Sequence, residues 1–331
     1  MAEEKKETAE DRIRKRFGQD AVFTFKDNPL KIESVSTGSM ALDQALGVGG
    51  IPYGRVTEIF GDESSGKSTV CQYVIANAQK TGRLCGYVDM EQALDPVYAQ
   101  ICGVDMETLR ISQPENGEEA LEIAEEYVRD NYGVVVVDSV ASLVPKAEID
   151  RGMGDASMGM QARLMSQALR KLGPFIKKHN TAVIFTNQTR QKIGVMYGNP
   201  ETTPGGLALK FYASVRVRLH AKKQMEGKLV VASDVTANVI KNKVAIPFGK
   251  AEFSLKFGQG IDHYMELVDM GAKLEVITRR GAFFSYGDTR LGQGAENARN
   301  FLEGNPVMAA EIEAKIRGSN APAEIDGSVE A

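Results

Sequence analysis

The eight residues Gly61-Asp-Glu-Ser-Ser-Gly-Lys-Ser68 constrain this chain more than any other stretch. They follow an apolar run, Val56-Thr-Glu-Ile-Phe60, and precede a helix-patterned run, Thr69-Val-Cys-Gln-Tyr-Val-Ile-Ala76. Strand, glycine-bounded loop and helix is the setting in which G-x-x-x-x-G-K-S forms a phosphate loop. The glycines let backbone N–H groups turn inward around an anion, and the helix start adds its positive dipole end. Gly61, Asp62, Glu63, Ser64, Ser65, Gly66, Lys67, Ser68 and Thr69 are therefore the candidate nucleotide-binding residues. Lys67 is placed to reach the β/γ-phosphates of ATP, and Ser68 to ligate Mg²⁺.

Beyond this loop the chain alternates apolar strands with amphipathic helices. Strands are expected over Arg83–Asp89, Gly133–Asp138 and Thr181–Thr186, and helices over Lys67–Lys80, Glu118–Asn131 and Met160–Lys178. Such alternation implies an α/β fold with a mostly parallel central sheet covered by helices on both faces. Further strands are expected at Phe211–Leu219 and Ser233–Val244, with a turn at Lys222–Gly227. A smaller α/β unit is expected from near Asp262. At the other end, a short amphipathic helix within residues 5–20 and a strand at Val22-Phe-Thr-Phe25 read as an arm that docks on its own core or on another copy.

In open sheets of this class, ligands sit at the carboxyl ends of the strands. Val134-Val-Val-Val-Asp138 ends in a carboxylate suited to hold Mg²⁺, giving Ser68 and Asp138 as the metal pair. Asp89-Met-Glu91 ends the strand after the phosphate-loop helix, and Glu91 is the choice for polarising an attacking water. Thr186-Asn-Gln188 ends the next strand. The Gln188 amide can sense a γ-phosphate and leads directly into the glycine-rich loop 189–206, so nucleotide state can re-aim that loop. A second glycine-rich loop covers 150–159. Residues 186–223 carry Arg190, Lys192, Lys210, Arg216, Arg218, Lys222 and Lys223 against the single acid Glu201, although net charge is −4. Charge alone leaves a solvated basic face and a nucleic-acid surface equally open.

The remaining composition excludes several classes. No apolar run spans a bilayer, and the charged start Met1-Ala-Glu-Glu-Lys-Lys-Glu lacks the core of a secretory signal. Cys71, Cys85 and Cys102 have no metal-binding spacing and read as reduced buried thiols of a cytoplasmic protein. The acidic end Glu324–Glu330 is expected to be a disordered tail.

Taken together, the run Gly61–Ser68, Asp89-Met-Glu-Gln-Ala-Leu-Asp-Pro96, the Val134–Asp138 strand, Gln188, and Lys192-Ile-Gly-Val-Met-Tyr-Gly-Asn-Pro-Glu-Thr-Thr-Pro-Gly-Gly206 resemble the RecA family of bacterial recombinases. So do Ala208-Leu-Lys-Phe-Tyr-Ala-Ser-Val-Arg216 and Lys241-Asn-Lys243, and the likeness runs from about Arg14 to Arg317. The resemblance implies a DNA-dependent ATPase that forms helical homo-oligomers on single-stranded DNA, pairs it with homologous double-stranded DNA, exchanges strands, and promotes self-cleavage of an SOS repressor. It implies an N-terminal oligomerisation arm (1–33), a RecA-type core (34–262), a small C-terminal domain (263–318) and an acidic tail (319–331). By motif position, Glu91 is its catalytic carboxylate and Gln188 its γ-phosphate sensor. The resemblance also implies that Lys241 and Lys243 reach a neighbour's ATP and that Asp95 and Tyr98 contact adenine. It implies that Arg163, Ser166, Arg170 and Arg190 face DNA, that Gly205 and Gly206 admit its backbone, and that Met158 and Ile193 wedge between stretched triplets.

The sequence departs from that pattern at Asp62, where proline is usual, at Thr236 and Asn238, which replace basic residues, and at Ala295, which replaces a lysine. Capture of the incoming duplex is then expected to weaken or to use Arg279, Arg280, Lys222 and Lys223. Competing readings are a ring-forming relative, a small-molecule P-loop kinase and a non-catalytic ATP-gated scaffold.

Overall fold

A computed structural model of the protein describes residues 7–22, 24, 32–151, 159–191 and 201–319. Two units separate, 1–33 and 34–331. In the first, helix α1 (Ala9–Phe17) carries a capping box in which Thr8 and Asp11 satisfy each other's backbone N–H groups. The strand expected at 22–25 lies largely outside the described residues, as do most of loop 150–159, residues 192–200 and the acidic end.

The second unit is built on one nine-stranded sheet. Its strands are β1 (Val56–Gly61), β2 (Cys85–Asp89), β3 (Arg110–Ser112), β4 (Val134–Asp138), β5 (Ala182–Gln188), β6 (Val215–Glu226), β7 (Leu229–Asn242), β8 (Lys250–Lys256) and β9 (Gly260–Ile261). The spatial order is β9-β8-β7-β6-β1-β5-β4-β2-β3. Pairing is parallel from β6 to β3 and antiparallel from β6 to β9. Helices α2 (Met40–Leu46), α3 (Lys67–Lys80), α4 (Pro96–Ile101), α5 (Gly117–Arg129) and α6 (Met160–Lys178) complete the layers.

The continuous valine run of β4 follows from burial on both faces. Val134 and Val136 join the core that includes Val70, Val74 and Ile75 of α3. Val135 and Val137 join the opposite core, with Ala120, Leu121 and Ala124 of α5 and Met165, Leu169 and Leu172 of α6. The two-residue alternation of a strand thus divides one apolar run between two layers.

Two expectations need correction. The stretch expected to open a strand at Phe211 is instead helix α7 (Ala208–Tyr212), and β6 begins at Val215. The turn expected at Lys222–Gly227 is shorter: β6 continues to Glu226, and β7 starts at Leu229. The outer half of this hairpin exposes residues of both faces, so it has no apolar rhythm that marks it as strand.

The C-terminal part comprises α8 (His263–Lys273), the antiparallel strands β10 (Thr278–Arg280), β11 (Phe283–Tyr286) and β12 (Thr289–Gln293), then α9 (Ala295–Glu303) and α10 (Pro306–Ser319). It shares the α3-side core through Leu267, Ile277, Phe284, Leu302 and Ile312. A buried carboxylate fixes the join. Glu266 accepts from Ser39 Oγ at 2.5 Å and from the Met40 and Ala41 amides at 3.0 Å each, capping α2 from another element.

Burial, reinforced by nearby Asp43, raises the Glu266 carboxyl from an ordinary 4.5 to about 7, against the three donors that favour its charged form. The native state then holds this proton more tightly than the unfolded chain does. Its stabilising contribution is complete below about pH 4.5 and is lost as pH rises through about 7. Denaturant melts across that window should show wild-type stability declining relative to Glu266→Gln, whose profile lacks this slope. Parallel profiles would refute the assignment.

Candidate active site

The phosphate loop is shaped by contacts that exclude side chains. A Cβ on Gly61 would lie 2.2 Å from the Leu219 carbonyl oxygen, and one on Gly66 would meet Leu255 Cδ1 at 2.5 Å. Gly66 has φ +89° and caps α3 without a side-chain acceptor. The first-turn N–H groups therefore have no side-chain cap. Ser65 Oγ is buried without a hydrogen-bond partner. Lys67 Nζ donates to the Asp62 and Gly61 carbonyls at 2.7 and 3.3 Å. Burial holds this ammonium below its ordinary pKa, opposed by Asp138, Glu91 and Asp62. An orphaned hydroxyl, an uncapped helix start and a half-buried ammonium together suit a polyphosphate.

Asp138 ends β4 beside this loop. Its Oδ2 accepts from Ser68 Oγ at 2.7 Å and from Tyr87 OH at 2.5 Å, and its Oδ1 accepts from Thr186 Oγ1. Ser68 and Asp138, the expected metal pair, thus touch. Glu91 Oε1 accepts from both Ser139 Oγ at 2.6 Å and Gln188 Nε2 at 3.2 Å. Asp89 points elsewhere: it accepts from the Ala93 and Leu94 amides and from Gln113, and so builds the loop. Glu91, Asp138, Gln188, Lys67 and the loop residues from Glu63 to Thr69 line one cleft of about 220 Å³.

Not every expected residue lines that cleft. Asp95 caps α4, accepting from the Val97 and Tyr98 amides. Tyr98 OH lies 3.4 Å from Thr69 Oγ1, beside the first turn of α3. Lys241 Nζ donates to the Lys210 and Phe211 carbonyls at 2.6 and 3.1 Å, and Lys243 is exposed just past β7. Met158 and Ile193 lie outside the described residues. Arg163, Ser166 and Arg170 recur at helical spacing on α6, with both arginines exposed. Arg190 is exposed in a two-residue ladder with Glu201–Thr202. Within the basic segment, Arg216 is paired with buried Glu58 at 2.5 Å and Arg218 with Glu201 at 2.5 Å.

Two routes join the cleft to the segment after 200. Ser139, bonded to Glu91, precedes Val140, whose carbonyl accepts from Gln161 Nε2 at 2.7 Å, and Gln161 Oε1 accepts from the Gly205 amide at 3.1 Å. Asn187, beside Gln188, donates to Glu58 at 3.0 Å and to the Pro204 carbonyl at 3.1 Å. At the loop's other side Thr189 Oγ1 bonds Asp62. Tyr87, Ser139, Gln161, Thr186 and Asn187 were not singled out by the sequence. Only the register of adjacent strands could have found the first and fourth.

This geometry defines a P-loop α/β protein with a carboxylate-lined nucleotide cleft. The RecA N-terminal domain family model matches residues 4–262, and the RecA C-terminal domain model matches 265–320. The chain is 56% identical over 311 residues to Protein RecA of Symbiobacterium thermophilum, covering 92% of this chain and 89% of that protein. It is 53% identical to Protein RecA of Herpetosiphon aurantiacus (93% and 87%) and 53% to that of Clostridium novyi (92% and 88%). The chain belongs to the RecA family.

Gly205 has φ +85°, and a Cβ there would stand 2.8 Å from Val140 Cγ1; Gly159 has φ +81° with open space around it. Gly205→Ala should therefore cost more stability than Gly159→Ala, roughly 2 kcal/mol against roughly 1. It should also speed amide exchange over 201–206, as mass-spectrometric exchange will report. Equal effects would mean that Val140 simply yields.

Proposed function

We propose that this chain is an ATP-dependent homologous recombination and DNA repair protein that polymerises on single-stranded DNA, pairs it with homologous duplex and exchanges strands. We further propose that it hydrolyses ATP in a DNA-dependent manner and, as a filament, promotes self-cleavage of an SOS repressor. The observation that carries this reading is the single Glu91 oxygen held by Ser139 and Gln188, each the start of a route into the 189–206 segment. A carboxylate able to orient water and a sensor leading into a basic loop link hydrolysis to a polymer grip.

Gly61–Thr69 would hold the phosphates, with Lys67 leaving its two carbonyls for the β/γ oxygens. Ser68 and Asp138 would hold Mg²⁺, and Asp95 and Tyr98 would flank the base. Bound ATP supplies the phosphoanhydride, and Mg²⁺ neutralises charge on its terminal phosphates. Glu91 orients and deprotonates water. Gln188 exchanges its bond to Glu91 for one to the terminal phosphate, and Asn187 with Pro204 carries that change to the loop. Lys241 and Lys243 of an adjacent copy would complete the site in trans. Arg163, Ser166, Arg170 and Arg190, with Gly205 and Gly206, would grip the DNA backbone, and Met158 and Ile193 would separate base triplets. Such binding is sequence-independent and salt-sensitive.

In the proposed division, residues 1–33 are the oligomerisation arm and 34–262 the ATPase core. Residues 263–318 form the C-terminal domain and 319–331 an acidic tail that restrains duplex uptake. A cytoplasmic location is part of the proposed reading; among the described residues no helix is long and apolar enough to cross a membrane. Exposure of Lys222, Lys223, Arg279 and Arg280 supports them as the duplex-capturing set.

Glu91→Gln should retain nucleotide-dependent binding to oligonucleotides while DNA-stimulated phosphate release falls by about 100-fold or more. Hydrolysis that survived the change would remove Glu91 from the catalytic role, and a wild type that binds ATP without releasing phosphate would favour a scaffold. Arg279→Ala/Arg280→Ala should leave single-strand binding intact and reduce duplex capture several-fold in a strand-exchange assay; unchanged capture would remove these residues from the set.

A further inference from the structure

Three hydroxyls converge on Asp138, and only Ser68 belongs to the phosphate loop. Tyr87 comes from β2 and Thr186 from β5, the strands on either side of β4. Tyr87 is 1% exposed and Thr186 fully buried. In so dry a position a hydroxyl costs stability unless it finds an acceptor, and a phenylalanine or valine would fill nearly the same space without that demand. The side-chain acceptor for both hydroxyls is Asp138: Tyr87 OH on Oδ2 and Thr186 Oγ1 on Oδ1. One oxygen is thus held from each side, which fixes the plane of the carboxylate.

A carboxylate offers about four lone-pair sites. Tyr87, Ser68 and Thr186 use three of them. When Ser68 turns away toward a cation, Tyr87 and Thr186 still hold the carboxylate, and each oxygen keeps an open lone pair. We propose that Tyr87 and Thr186 are positioning residues that orient Asp138 for the divalent cation of the nucleotide site. The inference rests on the nucleotide-and-metal reading above. Groups in this position around a metal ligand typically change metal affinity by about 10–100-fold when removed.

The test uses the full chain as wild type, Tyr87→Phe, Thr186→Val and Thr186→Ser, with fluorescent ADP binding followed by polarisation as Mg²⁺ is titrated, and again in EDTA. No turnover is read. Half-saturating Mg²⁺ should rise about 10-fold in Tyr87→Phe and in Thr186→Val. Thr186→Ser, which keeps the hydroxyl, should stay near wild type, and affinity in EDTA should be the same for all four. A merely structural role would instead weaken binding equally with and without Mg²⁺. That result, or Mg²⁺ curves that overlie wild type, overturns the inference while leaving the site intact. A serine variant that behaves like valine overturns it for Thr186. A wild type whose ADP binding ignores Mg²⁺ overturns the metal reading and this inference together.

Discussion

The parallel register of β1, β5, β4 and β2 is the constraint on which this structure depends. Gly61 pairs with Gln188, and Asp89 pairs with Asp138. These pairs place the Gly61–Ser68 loop, the Gln188 amide and the Asp138 carboxylate at the carboxyl end of the same sheet. Glu91, two residues beyond Asp89, and Ser139, one beyond Asp138, then meet across the gap. Sliding one strand by a single residue would invert its faces and separate every pair named here. The register of these strands is therefore what assembles the cleft.

From that edge, polar contacts lead into the protein. Glu58 is fully buried within β1, yet it holds Arg216 on one oxygen and Asn187 on the other. Removing Arg216 would leave a charge without compensation in a dry layer, and removing Asn187 would take a donor from its other oxygen. Its position bears on the proposed function as well as on stability, because Asn187 also holds Pro204 and adjoins Gln188. A backbone shift at Gln188 that moved Asn187 would reach Pro204 through its bond to that carbonyl. Gly205 and Gly206 sit closely against Val140 and Ala162, where a side chain would intrude. The proposed switch thus has a contiguous set of contacts to run through, from Asn187 to Pro204 and from Val140 through Gln161 to Gly205.

Much of this was legible in the sequence, for identifiable reasons. The spacing of Gly61, Gly66, Lys67 and Ser68 announces its loop because each position answers a local demand of backbone or charge. The runs at Val134 and Ala182 announce buried strands because every residue is apolar. Glu91 could be preferred over Asp89 but not separated from it by alternation; the difference lies in the Ala93 and Leu94 amides, which claim Asp89. Tyr87 and Thr186 were invisible because a tyrosine and a threonine in strands pass as ordinary residues until their neighbours across the sheet are known. The outer hairpin misled for the opposite reason: both of its faces meet solvent, so pairing leaves no apolar pattern. Glu266 likewise reads as a helix-surface carboxylate, since its partners stand more than 220 residues earlier in the chain.

The position of Lys241 bears on how the proposed trans site could be kept silent in a single copy. Its ammonium caps the end of α7 through the Lys210 and Phe211 carbonyls, and burial with Lys243 and Arg216 nearby lowers its pKa. On the proposed reading, this lysine must exchange two carbonyl bonds for the phosphate of an adjacent copy. Each such bond to a charged donor is worth roughly 1.5–3 kcal/mol, so the exchange is favourable only when a polyphosphate is presented at the interface. Departure of the ammonium also uncaps α7, whose Phe211 side chain is 68% exposed. Covering that ring against a second copy would offset the lost cap through burial of apolar area. Nucleotide and subunit contact would then each strengthen the other, and an isolated chain would keep its lysine at home.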